Sequence, residues 1–406
     1  MPHVILYDDA VARRFEPFAT TRPTCELRAG ALLVRERWAH VLGMPATGFV
    51  SAPHLDGFAE FDAPPAVTGE LAAGTWLVNA RALPMLDAHP ATASAILIGG
   101  RVAAARLSEP VPASQLASDA FSLEEVVPAS GMLINADGLW LDEVWDLLAH
   151  LTPLLVRDIP VLARAIGAAA LTAASGAHIV GEHPVWVEDG AIVEPMTFFD
   201  THSGPVLLRR RAQVQAFTRV IGPVYVGADT TITTDRIAAS SIGEQCRVHG
   251  EMSASILIGY ANKGHDGFVG HSVLGRWVNL GAGTITSNLK NTYGSVSLWT
   301  PDGVRESGQQ FLGTLFGDHA KTGIGMRLTT GCVLGAGSNV FDRMPPKAVA
   351  PFSWGSGAPY DVFSADKFVA TARRMMARRS VALSAESASW WERVHAIARA
   401  DMRWPR

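Results

Sequence analysis

The densest run of glycine and polar residues in this 406-residue chain opens with Asn262-Lys-Gly-His-Asp-Gly-Phe-Val-Gly-His271 and continues to Lys290. It carries two histidines, His265 and His271, six residues apart. An imidazole titrates near neutral pH, so one held rigidly beside a substrate can take its proton as a general base. Lys263 and Asp266 flank the first ring, and neighbouring charges of this kind tune such a base. A lone histidine is more often structural. Two in one loop, with these neighbours, favour chemistry.

A loop of this kind needs a rigid support, and the sequence around it has a period of six. Leu208, Val214, Val220, Val226 and Ile232 stand six apart, as do Val187 and Val193, Ile242 and Val248, Phe268, Leu274 and Leu280, and Leu328, Leu334 and Val340. Six matches neither the 3.6-residue helix nor simple strand alternation. It suits a solenoid in which each unit supplies one short strand and one turn, with one apolar side chain facing a shared interior. His265 and His271 would then take like positions on successive corners. Glycine often follows the apolar residue, as in Val226-Gly227, Ile242-Gly243, Ile258-Gly259, Leu312-Gly313 and Ile324-Gly325, where it would ease a tight corner. Breaks at 199–205, 259–267 and 291–310 read as loops inserted at corners, where sites are expected. An ordinary β-sandwich with chance spacing is the competing architecture.

The part before Pro153 reads as mixed α/β. Val4–Tyr7, Trp76–Val78, Ser94–Ile98 and Met132–Ile134 are strand candidates, and Ala31–Leu42 has helical spacing. Asp142–Ala174 looks helical and serves as a junction. From about Asp361 a helical tail carries Arg373-Arg374 and Arg378-Arg379, most simply a solvated face. The expected divisions are 1–153, 154–176, 177–352 and 353–406. A net charge of −4 argues against a general nucleic-acid binder. No apolar run is long enough to span a bilayer. Three scattered cysteines, Cys25, Cys246 and Cys332, and the absence of a signal-peptide pattern lead to the expectation of a cytoplasmic protein.

Several ungapped motifs then occur in order: Gly264-His265, Asn279-Leu-Gly-Ala-Gly283, Thr286-Ser-Asn288, Phe311-Leu-Gly-Thr314 and Gly317-Asp-His-Ala-Lys-Thr-Gly-Ile324. Through them the chain resembles the GlmU-type bifunctional sugar-1-phosphate nucleotidyltransferase/acetyltransferases, above all their shorter-headed bacterial relatives. The resemblance implies a reduced, Rossmann-like nucleotidyltransferase α/β domain, a left-handed parallel β-helix and a helical tail. Left-handed winding comes from the resemblance alone, since parallel crossovers are normally right-handed. It implies a cytoplasmic homotrimer with sites between subunits, acting on sugar phosphates and nucleotides of the UDP-N-acetylglucosamine kind. His265 falls on the catalytic base, with acetyl-CoA as co-substrate. Asn288 falls beside the amino sugar, Asn279 and the Gly281-Ala282 backbone fall in the cleft shared with coenzyme A, and Thr314 falls at a coenzyme contact. Lys263, His271, Lys290, His319 and Lys321 are further candidates for substrate contact. Phe268 stands where a tyrosine is usual, and the lysines expected after Asn288 are absent except for Lys290, so the acyl acceptor is open.

In the head the resemblance is thinner. The usual glycine-rich phosphate loop after the first strand is replaced by Asp8-Asp-Ala-Val-Ala-Arg-Arg14. Arg14, Arg22 and Arg28 are candidates for phosphate, and Asp8 and Asp137 for Mg²⁺, with structural ion pairs as the alternative. Two other functions compete. One is a γ-carbonic-anhydrase-like zinc enzyme using His249, His265, His271 and His319; the other is a non-catalytic nucleotide-sugar-binding or assembly protein.

Overall fold

The computed structural model describes residues 3–88, 93–127, 131–172 and 175–405. Met1 and Pro2, and Ala173 and Ala174 at the end of the expected junction helix, lie outside the described residues. The head sheet has six strands: β1 (Val4–Tyr7), β2 (Gly48–Val50), β3 (Trp76–Asn79), β4 (Ala95–Ile98), β5 (Arg101–Arg106) and β6 (Leu133–Ala136). Their order is β6-β4-β5-β3-β1-β2, and every pairing is parallel except those of β5. The apolar run of β1 is buried throughout, as suits a central parallel strand. The chain goes from β1 to β2 on one side and later to β3 on the other. Ligands of open α/β sheets bind beyond the strand ends at such a switch point.

Helix α1 (Val34–Leu42) starts three residues later than the amphipathic pattern, because Leu32–Leu33 first pairs with Arg28–Ala29. Helix α2 (Leu151–Ala165) accepts Pro153 in its first turn, where the missing N–H is no loss. Its Leu151, Leu154, Leu155, Ile159 and Leu162 enter the head core. The helix stops at Ala165, short of the expected end, and Ala169–Ala170 pairs antiparallel with Val185–Val187 to open the next unit. Arg37 and Asp158, both fully buried, form an ion pair that ties α1 to α2.

From His178 to Gly355 the chain winds as a parallel β-helix whose three faces begin as sheets of ten, six and five strands, the longest opening with the antiparallel Ala169–Ala170; the other two are continued by Ile285–Thr286 with Arg327–Leu328 and by Lys321–Thr322, Asn339–Val340 and Ser353–Gly355. The six-residue series points inward as expected: Leu208, Val214, Val220, Val226, Ile232, Ile242, Val248, Leu274, Leu280, Leu328, Leu334 and Val340 share one core. Phe268 is the exception. Val269 faces inward instead, because the series runs Leu257, Lys263, Val269 and loses one residue at the His271 corner before Leu274.

Gly325 takes a left-handed φ of 68°, but most of the glycines after the apolar residues do not make the corners. Gly227, Gly243, Gly275 and Gly281 lack a left-handed φ, whereas corner residues Arg211, Asp229, Gln245, Tyr260, Trp277 and His319 have one. A Cβ at Gly243 would lie 2.2 Å from the Ile258 carbonyl oxygen of the next coil, so glycine there permits stacking. Of the expected insertions, 291–310 forms a hairpin, Ser297–Thr300 with Gly303–Glu306, whereas 259–267 is an ordinary corner and strand and 199–205 only lengthens one corner.

The outer side of the ten-stranded sheet presents Leu207, Tyr225, Ile256, Val273, Leu315 and Val333 to a core shared with the head. The tail joins the same core. Helices α3 (Ala365–Ala377) and α4 (Ala385–Ala400) pack Phe368 on Phe352 and Trp390 on Phe58, and Trp390 Nε1 donates to the His54 carbonyl at 2.9 Å. Among the described residues no helix is long and apolar enough to cross a membrane. All three cysteines are buried and free.

Candidate functional site

The prism has three edges, and the candidate residues are distributed over all of them. On one edge, with Met196, Phe217 and Gly283, lies His265, exposed and with no side-chain hydrogen bond or ion pair among the described residues. Its backbone is held from inside. Lys263 stands in register with inward Val248 and is only 2% exposed, so it faces the interior rather than a substrate. Its Nζ donates to the carbonyls of His249 at 2.5 Å and His265 at 3.1 Å. Burial pushes this amine down to about 8. One coil on, Gly283 N–H donates to the Asp266 carbonyl at 3.2 Å and seats the Gly281-Ala282 corner beneath His265. The N–H of half-buried Ala282 donates to no backbone group among the described residues.

His271 lies on the next edge, at the other end of the strand Phe268–Gly270, so the two imidazoles do not meet within one chain. Asn288 Nδ2 donates to its Nδ1 at 2.9 Å, and the ring stacks on Phe311 at 5.2 Å. Burial lowers its pKa, which keeps it neutral at pH 7. Phe268 faces outward across Gly270 toward Asn288. Asn288 therefore sits with His271 and not with His265. Half-buried Lys290 follows in the loop leading to the inserted hairpin. Thr314 turns inward and is fully buried. Its N–H takes the hydroxyl of Ser272 at 3.0 Å, the last rung of a ladder through Ser240 and Ser255, so its side chain is not open to a coenzyme.

The third edge lies under the tail. His319 is buried against Trp277, Phe368 and Trp391, and burial first, then Lys321 and Arg22, hold it well below the usual histidine range. Lys321 Nζ donates to the His319 carbonyl at 2.9 Å, and burial brings it to about 8. The Gly317–Ile324 motif is thus a brace rather than a phosphate site. Asp318 accepts from Arg276 N at 2.7 Å and Thr21 Oγ1 at 2.9 Å and pairs with Arg22 at 3.1 Å. Arg22 also pairs with Glu60 at 2.8 Å, Arg276 with Glu60 and Glu244, and Arg28 with Glu244 at 3.2 Å. Burial opposes ionisation of Glu244, yet Arg276 and Arg28 hold it down to about 2. Arg22 and Arg28 therefore join head to β-helix through these ion pairs. Asn279 faces outward between the first and third of these edges and accepts from Asn262 Nδ2 at 2.8 Å.

In the head, Asp8 follows β1 but is sealed. It accepts from Ser51 Oγ at 2.5 Å and twice from Thr24 N at 3.2 Å, and burial raises its carboxyl to about 6. Asp137 is exposed and paired with Arg157. Neither is free to hold Mg²⁺, and the pair does not fit the metal. No group of three or more His, Cys, Asp or Glu suited to a metal occurs among the described residues, and within one chain His249, His265, His271 and His319 do not converge. The sequence reading missed Asn79, which ends β3, and Arg81, two residues beyond it. Arg81 bonds Asp9 at 2.6 Å and Asp142 at 3.0 Å beside a crevice of about 880 Å³ that Arg14, Arg101 and Arg305 also line. A polar residue directly after a buried strand was the available signal. The hairpin inserted in the β-helix reaches this crevice through Arg305–Glu143 at 2.5 Å and Arg14–Asp302 at 3.2 Å.

A switch-point α/β head docked on a three-faced β-helix of six-residue units defines a class in which a nucleotidyltransferase-like domain precedes an acyltransferase-like solenoid. Residues 4–165 match the sugar nucleotidyl transferase family. Over 112 residues, 28% of this chain and 27% of the relative, it is 31% identical to the bifunctional sugar-1-phosphate nucleotidylyltransferase/acetyltransferase of Sulfurisphaera tokodaii. It is 30% identical over 119 residues to the bifunctional protein GlmU of Methanococcus vannielii, covering 29% of this chain and 27% of that one. With GlmU of Acaryochloris marina the figures are 33% over 165 residues, 37% and 32%. The chain is thus similar in part to GlmU-type bifunctional transferases, and the matches span about a third or less of those relatives' length.

Proposed function

We propose that the β-helix transfers an acyl group from acetyl-CoA to the amino group of an amino-sugar phosphate, with His265 as general base. The observation that carries this reading is an exposed imidazole on an edge whose backbone is clamped from inside by Lys263. Rigid placement of this kind supplies orientation at no cost during the reaction. The amine nitrogen attacks the thioester carbon as His265 takes its proton. The C–N bond forms, the C–S bond breaks, and the thiolate leaves and is reprotonated. In this reading the N–H of half-buried Ala282, on the same edge, donates to the carbonyl oxygen as it gains charge.

Because His265, Asn279 and Asn288 lie on different sides of one prism, a complete site needs a neighbouring subunit. The His265 edge and its flanks expose Met196, Phe217, Ile285, Ile324 and Phe341, which supports a homotrimer closed along them. The sealed Asp8 and the Arg81 ion pairs favour a head that binds a nucleotide sugar in its crevice over one that performs metal-dependent nucleotidyl transfer. Buried free thiols suit a reducing, cytoplasmic setting. Thiol release from acetyl-CoA over a panel of amino-sugar phosphates tests the β-helix, and its absence with every acceptor rejects this reading. Pyrophosphate release from nucleoside triphosphates with sugar 1-phosphates and Mg²⁺ tests the head, where no turnover is expected.

A further inference from the structure

Where the tail crosses the β-helix, Tyr260, Asn262, Trp277 and Asn279 on the solenoid and Met375, Arg378 and Arg379 on α3 and its C-terminal end enclose a groove of about 390 Å³. The outward row of this face runs Arg247, Asn262, Asn279 and Lys321 on successive coils. Arg378 and Arg379 form no ion pair among the described residues, and Arg247 bonds only the carbonyls of Asp229 and Cys246, at 2.9 and 2.8 Å. Arg379 is half buried, with Arg247 and Arg378 close enough to repel it, and its pKa is lowered by burial first and then by those two charges. Cations at a helix C-terminus complement its dipole, which accounts for basic residues at this end of α3. It does not account for two guanidinium groups lining one groove, with a third, Arg247, near Arg379 and no carboxylate among the lining residues. The Asn262–Asn279 bond leaves the Asn279 amide hydrogens free of any partner among the described residues.

We infer that Arg247, Arg378 and Arg379, with the Asn279 amide, form a phosphate-binding subsite by which the C-terminal helices hold a phosphorylated substrate against the β-helix. Guanidinium groups suit this role because their fixed fork of donors matches phosphate oxygens, and a bound anion would remove the mutual repulsion. The chemistry fits both an amino-sugar phosphate and the phosphates of coenzyme A. The identity of the ligand rests on the acyltransfer reading; the presence of an anion site does not. A tail serving this purpose would couple its docking on the solenoid to substrate binding.

The test is calorimetric titration of the full chain with pyrophosphate, coenzyme A and glucosamine 1-phosphate, comparing unaltered protein, Arg378→Ala/Arg379→Ala and the control Arg373→Ala. Arg373 is exposed on the same helix and does not line the groove. Pyrophosphate and at least one organic ligand should bind the double variant tenfold or more weakly and the control unchanged. The organic ligand that loses affinity identifies the source of the phosphate. Equal affinity in the double variant, an equal loss in Arg373→Ala, or no binding by the unaltered protein overturns the inference. Thermal melting checks that the α3–α4 packing through Phe368 and Met376 persists. Arginine-dependent pyrophosphate binding without thiol release in any protein would leave the subsite standing and reject acyl transfer. Thiol release with arginine-independent binding would do the reverse.

Discussion

Replacing Lys263 with methionine should make the β-helix more stable near neutral pH while loosening the edge that carries His265. The side chain lies in an inward position between Val248 and Leu280, where an apolar group of similar length fits. Its pKa falls from 10.5 to about 8, which at about 1.4 kcal/mol per tenfold change corresponds to about 3 kcal/mol opposing the charged folded form at pH 7. Against that stand two hydrogen bonds, to the His249 and His265 carbonyls, worth about 1 kcal/mol each. The net expectation is a gain of about 1 kcal/mol. Because the folded pKa lies below the unfolded one, the penalty is present in full below about pH 8 and is relieved as pH rises toward 10.5. The unaltered protein should therefore gain about 3 kcal/mol relative to Lys263→Met between pH 7 and pH 11. Lys321, also brought to about 8, is common to both proteins and cancels in the difference. Amide hydrogen exchange in the strands around Val248 and Leu280 reports on the β-helix separately from the head. Parallel stability curves for the two proteins would refute the assignment of a strained, buried amine.

Asp158→Ala should destabilise the head by about 3–5 kcal/mol, read by urea denaturation, because it leaves the fully buried Arg37 guanidinium without its carboxylate. Ser272→Ala should cost about 1–3 kcal/mol by the same measurement, since the Thr314 N–H loses its acceptor inside the solenoid. Phe217→Asp with Ile324→Asp, at side chains 68% and 81% exposed, should leave the fold intact and yield monomers in sedimentation, whereas an unchanged assembly would place the subunit contact elsewhere.

Legibility in the sequence followed the strength of each physical constraint. The interior of the β-helix tolerates little but apolar side chains, so its six-residue period could be read from Leu208 to Val340 almost without the structure. Lys263 escaped that reading because a lysine followed by Gly264 and His265 looks like surface chemistry. Only the register with Val248 reveals that it points inward and ends on carbonyls. Thr314 escaped in the same way, since its backbone N–H ends the internal ladder from Ser240 and its side chain is buried inside the solenoid. The corner reading holds for Gly325 but not for Gly227, Gly243, Gly275 or Gly281, since close stacking and left-handed corners leave similar traces in sequence. In the head, the strands were legible from their apolar runs, whereas Arg22 and Arg28 could not be placed because their partners, Asp318 and Glu244, lie more than 200 residues away in the chain. Long-range ion pairs have no local signature. The tail's basic run was half right, as Arg373 and Arg374 are solvated but Arg379 is drawn into the groove.

Comparison of thiol release from acetyl-CoA by His265→Ala and His271→Ala bears most directly on acyl transfer at the clamped edge. With an accepted amino-sugar phosphate, loss of a general base should lower kcat by about 10²–10⁴-fold in His265→Ala. His271→Ala, whose ring is engaged by Asn288 and Phe311, should keep the greater part of its activity. Full activity in His265→Ala, or the larger loss in His271→Ala, would contradict the assignment.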